Sequence, residues 1–287
     1  MNLLTRSFTH IPGIGSVTER RLWQAGVRSW DDFLANPQRA SRFVSREAEQ
    51  AIKYIELSLE AVEDENWMFF YRALPSCDHW RLLNLMPART AYLDIETTGL
   101  SAECNEITCI GLYDGTAVRY YTRGHNLEKF VEDIHQYGLL VTYNGKRFDL
   151  PFIRRQLGIA LDVPNVDLRY FCARVGLKGG LKVAEKLAGI GRDDCLAGVD
   201  GFMAVLLWQV YERTGDPAAL ETLIAYNLAD TVNLLPLAQE VWNRMLPAHF
   251  PELRVEVDRA RPPLPFKPDR ELLARLTAEM GRYGSRR

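Results

Sequence analysis

One apolar run carrying two acids constrains this chain more than anything else in it. Ala91-Tyr92-Leu93-Asp94-Ile95 reads as a buried strand, with Glu96 and Thr97 following directly. Side chains alternate faces along a strand, so Asp94 and Glu96 share one face while Leu93 and Ile95 pack on the other. Two carboxylates at the end of a buried strand are costly unless something compensates their charge. Divalent cations do so, and hard carboxylate oxygens without His or Cys suit Mg²⁺ or Mn²⁺ rather than zinc.

Two further words supply the rest of such a site. Tyr226 and Asp230 stand four apart in a helical segment, Tyr226-Asn227-Leu228-Ala229-Asp230, and so share a helix face. Between the two acid pairs lies Tyr143-Asn144-Gly145-Lys146-Arg147-Phe148-Asp149. Asp149 follows an apolar strand and a Tyr-Asn-Gly turn, which puts it at a strand's carboxyl end, a common place for sites in α/β sheets. Two metals roughly 3.5–4 Å apart stabilise both the attacking and the leaving oxygen of a phosphodiester displacement. Free tyrosine titrates near pH 10, so orienting an attacking water is the simplest role for Tyr226. An Asp-x-Glu alone is an ordinary surface or capping pattern. The ordered set of four acids and a tyrosine is what points to chemistry. Asp167 either supports this site or caps a helix, and stands outside the metal set.

The 287 residues suit one large domain or two smaller ones, and the 47% hydrophobic content is enough for a substantial core. A net charge of −2 is unlike a sequence-blind nucleic-acid coat, yet compatible with an enzyme that meets a polyanion in one local groove. Cys77, Cys104, Cys109, Cys172 and Cys195 are odd in number and lack C-x-x-C spacing. That excludes a zinc ribbon and a disulfide framework, and implies thiols in a reducing compartment. The first residues carry no sustained apolar stretch and no run approaches a membrane span, so the expectation is a cytoplasmic protein without a membrane partner.

The organisation follows from punctuation. Residues 8–59 read as helices, with a tight turn at Ile11-Pro12-Gly13-Ile14-Gly15, Ser16 or Thr18 as a cap, Ser29 before a second helix and a longer helix over 45–62. Strands are expected at 91–95, 106–113 and 117–121, with an Asp114-Gly115 hairpin, then a helix over 127–135, a strand at 139–143 and a helix over 151–157. Helices continue to about Met245. A proline-rich stretch over 261–268 precedes a short helix over 269–280 and a basic end. The expected division is a helical domain over 1–62, a connector over 63–88, an α/β domain with a mixed central sheet flanked by helices over 89–247, and a proline-rich, basic tail over 248–287.

Asp94-Ile95-Glu96-Thr97-Thr98-Gly99-Leu100 closely resembles the first motif of the DEDD-type 3′–5′ exonucleases of the ribonuclease H-like superfamily. Asn144 to Asp149 resembles their second motif, and Tyr226 to Asp230 the third motif of the tyrosine subclass. The resemblance covers about Arg89 to Met245. It implies a ribonuclease H-like fold, two divalent cations (Mg²⁺ or Mn²⁺) held by Asp94, Glu96, Asp149 and Asp230, and a water positioned by Tyr226. It also implies that Thr97, Leu100, Asn144 and Phe148 line the pocket for the terminal nucleotide; as a residue, Phe148 reads more simply as core. Related nucleases carry a Leu-Lys step where this chain has Leu177-Lys178-Gly179-Gly180-Leu181-Lys182. A glycine-rich turn into a helix suits phosphate, which makes Lys178 and Lys182 substrate-binding candidates beside the plain reading of solvated lysines.

The Ile11-to-Gly15 turn with its following helix and Ala25-Gly26-Val27 resembles a helix-hairpin-helix element. In that family the glycines, here Gly13 and Gly15, offer backbone amides to a DNA phosphate. The alternative is a hairpin that only packs. The function expected is a metal-dependent 3′–5′ exonuclease on nucleic acid, DNA favoured over RNA, in repair or processing, with a repair or replication protein as a possible partner. The alternatives are a structure-selective endonuclease, an RNA exonuclease, or a catalytically silent binding scaffold.

Overall fold

The computed structural model describes residues 3–44, 48–191, 196 and 200–284. The expected start of the third helix at 45–47, Cys195 and the last three residues of the basic end lie outside the described residues.

Five helices open the chain: α1 (Ser16–Gln24), α2 (Trp30–Ala35), α3 (Pro37–Ser41), α4 (Ala48–Glu63) and α5 (Trp67–Ala73). Ser29 caps α2 by accepting the Asp32 N–H at 3.1 Å. The cap of α1 is Gly15, without a side-chain bond, so Ser16 and Thr18 lie inside the helix and not at its cap. Ile11 and Ile14 are buried, and this anchoring of the turn starts the helix earlier than its polar residues suggest. The stretch after α4 is more than a connector. It contains α5 and a 3₁₀ turn over Ser76–Leu82 whose Trp80 and Arg81 are buried.

A buried ion pair locks these parts together. Arg81 donates from Nη1 and Nη2 to the two Glu19 oxygens, both at 2.8 Å. Glu19 also accepts the Phe8 N–H at 2.7 Å, and Arg81 Nη1 donates to Ser7 Oγ at 2.7 Å. Arg81 Nε makes no hydrogen bond among the described residues but lies 3.6 Å from Asp78 Oδ1, and a bidentate pair supported in this way is the form in which buried charges are tolerated.

The sheet follows: β1 (Thr90–Thr97), β2 (Ile107–Tyr113) and β3 (Val118–Thr122), then α6 (Lys129–Asp133), β4 (Leu139–Thr142), α7 (Asp149–Leu157) and β5 (Asn165–Asp167). The order is β3-β2-β1-β4-β5, with β1 antiparallel to β2 and parallel to β4. β1 is therefore central, and its two acids sit mid-sheet. β5 has only three residues, too few to carry an alternation of its own; parallel pairing with β4 makes it a strand. Helices α8 (Leu168–Arg174), α9 (Leu181–Leu187), α10 (Gly201–Thr214), α11 (Pro217–Met245) and α12 (Arg270–Gly284) complete the chain.

Alternation sorts the two faces as the β1 sequence requires. Leu93 and Ile95 join Phe130, Phe152 and Ile153 on the face covered by α6 and α7. Tyr92 joins a core that runs through Val232, Leu237 and Trp242 of α11 to Trp80, Trp30 and Phe8 of the N-terminal part. The architecture is α/β, a mixed five-stranded sheet with helices on both faces and a helical N-terminal part. The proline-rich stretch lies over α11, with Leu264 and Phe266 against Ile224 and Leu228. α12 then packs Leu272, Leu273 and Leu276 into a cluster with Trp208, Leu223 and Tyr226. None of the described helices is long and apolar enough to cross a membrane.

Replacing Arg81 with Met strands the Glu19 carboxylate in the core. The expected loss is about 3–5 kcal/mol of unfolding free energy, read by urea titration. A loss below about 1 kcal/mol overturns the locking role.

Candidate active site

The site forms where α11 crosses β1 and β2. An added Cβ at Gly111 of β2 would stand 2.3 Å from Thr231 Oγ1 and 2.6 Å from Asn227 Oδ1, so glycine is what lets the helix approach so closely. Asn227 Nδ2 then donates to Asp94 Oδ2 at 2.8 Å across the gap. Asn227 Oδ1 in turn accepts from the buried Cys109 thiol at 3.5 Å. On the same helix, Tyr226 and Asp230 are both buried.

Asp94, Glu96 and Asp230 each bring a carboxylate oxygen within 4.8 Å of the others, although Asp230 is more than 130 positions away in sequence. Asp149 stands outside that trio. It is the first residue of α7, 3% exposed, and follows β4 through the turn over 143–148, so it lies beyond a strand's carboxyl end as expected. Asp149 Oδ1 has no hydrogen-bond partner among the described residues.

The electrostatics of this group are those of crowded, buried carboxylates. Burial lifts the Asp94 carboxyl well above the usual carboxylate range, with the Asp149, Glu96 and Asp230 charges adding to it and the Asn227 hydrogen bond opposing. Burial likewise lifts Glu96, helped by Asp230 and Asp149 and opposed by the Lys182 ammonium. Asp149 is pushed up to about 7, mainly by burial. Burial and the charges of Glu96 and Asp94 push the Cys109 thiol up, so it remains a neutral thiol and no soft ligand. Crowded oxygen donors, an unpartnered buried carboxylate oxygen and no available thiolate together fit hard divalent cations.

The remaining sequence-predicted residues lie as follows. Thr97 is buried after an irregularity in the β1–β2 register, and its hydroxyl donates to the Gly99 carbonyl at 2.6 Å. Leu100 projects from the turn that follows, 89% exposed. Asn144 has a left-handed backbone, φ 67°, and accepts from Arg169 Nη1 at 2.5 Å. Phe148 is half-buried and packs on Phe152, ring centroids 5.0 Å apart, at the edge of the α6–α7 core. Lys182 Nζ lies 4.8 Å from the centre of the Tyr226 ring, whereas Lys178 is exposed before α9. Gly13 and Gly15 lie in the turn before α1; Gly13 has φ +84°, and an added Cβ at Gly15 meets nothing within 4 Å.

A family model for the RNase H superfamily matches residues 91–242, the stretch that contains the sheet, all four acids and Tyr226. The chain belongs to the RNase H superfamily. A solved structure similar to it is the family B DNA polymerase from the hyperthermophilic archaeon Pyrobaculum calidifontis, at 17% identity and a TM-score of 0.38. That match covers 55% of this chain and 26% of the polymerase chain, so the present chain spans about a quarter of that protein. No curated protein gives a significant match.

Membership of the RNase H superfamily, with the acid cluster in place, supports a nuclease-type hydrolase that acts on nucleic acid with divalent metal. Within this RNase H superfamily domain, the sequence pattern gives no sign of Asn227 and leaves two roles open for Asp167. Asn227 was visible only as an amide inside an apolar helical word. Asp167 caps α8 by accepting the Arg169 N–H, and also accepts the Asn144 N–H at 2.7 Å and the Lys146 N–H at 3.2 Å. It therefore holds the loop that delivers Asp149, the helix-cap role that its sequence context left open.

Raised carboxylates set a pH dependence. An unfolded Asp or Glu titrates near pH 4, so above that the folded protein holds protons that the unfolded chain has released. Stability is fully present below about pH 4 and is lost as pH rises through about 7, where Asp149 ionises. In EDTA the melting temperature is expected to fall between pH 5 and pH 8. Asp94→Asn or Asp149→Asn should raise it at pH 8, and Mg²⁺ should stabilise the parent more at pH 8 than at pH 5. A melting temperature independent of pH and Mg²⁺ contradicts this account.

Proposed function

We propose that this chain is a metal-dependent 3′–5′ exonuclease of the DEDD type, tyrosine subclass, with DNA favoured over RNA as substrate. The observation that carries the reading is the convergence of Asp94, Glu96 and Asp230 beside Tyr226, with Asp149 buried next to them. Asp94, Glu96, Asp149 and Asp230 are the proposed ligands of two divalent cations, Mg²⁺ or Mn²⁺. When bound, such cations stabilise charge on the attacking and leaving oxygens of a phosphodiester displacement.

The chain's own residues do the positioning. Asn227 orients Asp94 through the 2.8 Å hydrogen bond, and one helical turn links Tyr226 to Asp230. The Tyr226 hydroxyl orients the attacking water. Lys182, over the Tyr226 ring, keeps a positive charge at the mouth of an otherwise anionic site, where the substrate's phosphate arrives. Water adds at the terminal phosphorus, the bond to the neighbouring nucleotide's 3′ oxygen breaks, and a nucleoside 5′-monophosphate leaves. Thr97, Leu100, Asn144 and Phe148 are the proposed walls for the terminal nucleotide. Leu100, an apolar side chain standing in solvent at the site's edge, suits contact with a base face.

The N-terminal hairpin is the proposed second contact, Gly13 and Gly15 presenting amides to a duplex phosphate. Its open space at Gly15 supports that use. A repair or processing role and the division into helical, connecting, nuclease and tail regions belong to the same proposal.

End-labelled single-stranded, duplex and 3′-overhang DNA, with matched RNA, test the reading in Mg²⁺, Mn²⁺ or EDTA. Metal-dependent, stepwise loss from 3′ ends is expected. Asp94→Ala and Asp230→Asn should abolish it with the fold intact, and Tyr226→Phe should slow turnover by roughly 10²-fold. Full activity in either acid variant overturns the ligand assignment. Gly15→Arg should change duplex affinity if the hairpin meets phosphate; unchanged affinity makes the hairpin structural.

A further inference from the structure

The loop that delivers Asp149 is held at two points, and one of them lies outside the superfamily domain. Asp167 fixes its backbone by accepting the Asn144 and Lys146 N–H groups at 2.7 and 3.2 Å. The Lys146 side chain is held separately: its Nζ lies 5.3 Å from the centre of the Tyr71 ring. Tyr71 belongs to α5, before the stretch 91–242 that the superfamily accounts for. Both side chains are half-buried, and a cation against a ring face gains more there than in open water, which screens it.

The Tyr71 ring is itself backed. The buried His79 packs its ring on Tyr71 with centroids 4.2 Å apart. Burial, then the Lys146 charge, lowers the His79 pKa, so at pH 7 a neutral imidazole stands near the ammonium. His79 belongs to the 3₁₀ turn over Ser76–Leu82, which is tied down in three directions. Arg81 pairs with Glu19 of α1, Trp80 meets Trp242 of α11 with centroids 5.7 Å apart, and Arg174 of α8 donates to the Cys77 carbonyl. Between Lys146 and Asp149 there is little slack. The Leu150 N–H donates to the Gly145 carbonyl at 3.0 Å, and an added Cβ at Gly145 would stand 2.4 Å from Thr142 Oγ1, so the turn is packed on the end of β4. A shift of Lys146 is therefore passed on to Asp149.

We propose that Tyr71 is a positioning residue for the metal site: by holding Lys146 it fixes the loop that sets Asp149 beside Asp94, Glu96 and Asp230, so the helical N-terminal part completes the site. The inference rests on the reading of Asp149 as a metal ligand and deepens it. Residues that orient a ligand from outside typically change metal affinity or turnover by roughly 10–100-fold when removed. Tyr71 acts on the loop and not on the carboxylate, which puts its effect at the lower end of that range.

Isothermal titration calorimetry with Mn²⁺ on the full chain, without nucleic acid, tests this apart from cleavage. Tyr71→Leu and Lys146→Met should each weaken Mn²⁺ binding by roughly tenfold, and Tyr71→Phe, which keeps the ring, should bind as the parent does. The double variant Tyr71→Leu/Lys146→Met should lose no more than either single one, because both remove the same contact. On a single-stranded oligonucleotide, Tyr71→Leu should lower kcat by a similar factor and leave KM unchanged. Parental Mn²⁺ affinity in Lys146→Met, a loop variant that leaves the core untouched, or losses that add in the double variant, overturns the positioning role. Weakened Mn²⁺ binding in these variants with no cleavage by the parent overturns the nuclease reading alone. A parent that binds no Mn²⁺ overturns both.

Discussion

Asn227 reaches from α11 to Asp94 on β1, and the site depends on that hydrogen bond being possible. It requires a helix to lie almost on the sheet, and the sheet to present no side chain beneath it. Gly111 meets that requirement on β2, the strand paired with β1. With the gap so narrow, Asp230 arrives within 4.8 Å of Asp94 and Glu96, and Tyr226 one turn earlier is buried at the same place. The local geometry is thus a consequence of one close helix–sheet contact.

The cost of that contact is electrostatic. Carboxylates gathered out of water raise one another's proton affinity, and burial is the largest cause at Asp94, Glu96 and Asp149. Hydrophobic packing on both sides of the sheet offsets it. The α6–α7 face anchors β1 from below, and the long core from α11 into the N-terminal helices anchors it from above. The C-terminal helix adds a further support, because Leu272, Leu273 and Leu276 share a cluster with Tyr226. The tail therefore packs behind the proposed catalytic tyrosine and is part of its support.

Several elements were legible because they carry strong local signals. The apolar β1 run, the Asp114-Gly115 hairpin between β2 and β3 and the Ser29 cap all came out where periodicity and turn chemistry put them. Others carried none. β5 is a strand only by pairing with β4, and Asp149 opens α7 because the preceding loop is clamped by Asp167. The Glu19–Arg81 pair joins residues 62 positions apart, each of which reads as an ordinary surface charge.

The sequence by itself determined the chemistry on offer: two acids on one strand face, a phenol and an acid on one helix face, and oxygen donors without thiolate or imidazole among them. Those follow from fixed periodicities of 2 and 3.6, which act over a few residues and need no partner. The tertiary structure alone decided which acids meet. Asp94, Glu96 and Asp230 share one cluster, Asp149 stands beside it, and Asn227, Gly111 and Asp167 hold the arrangement. Such placement depends on packing between elements far apart in the chain, and local periodicity carries no information about that.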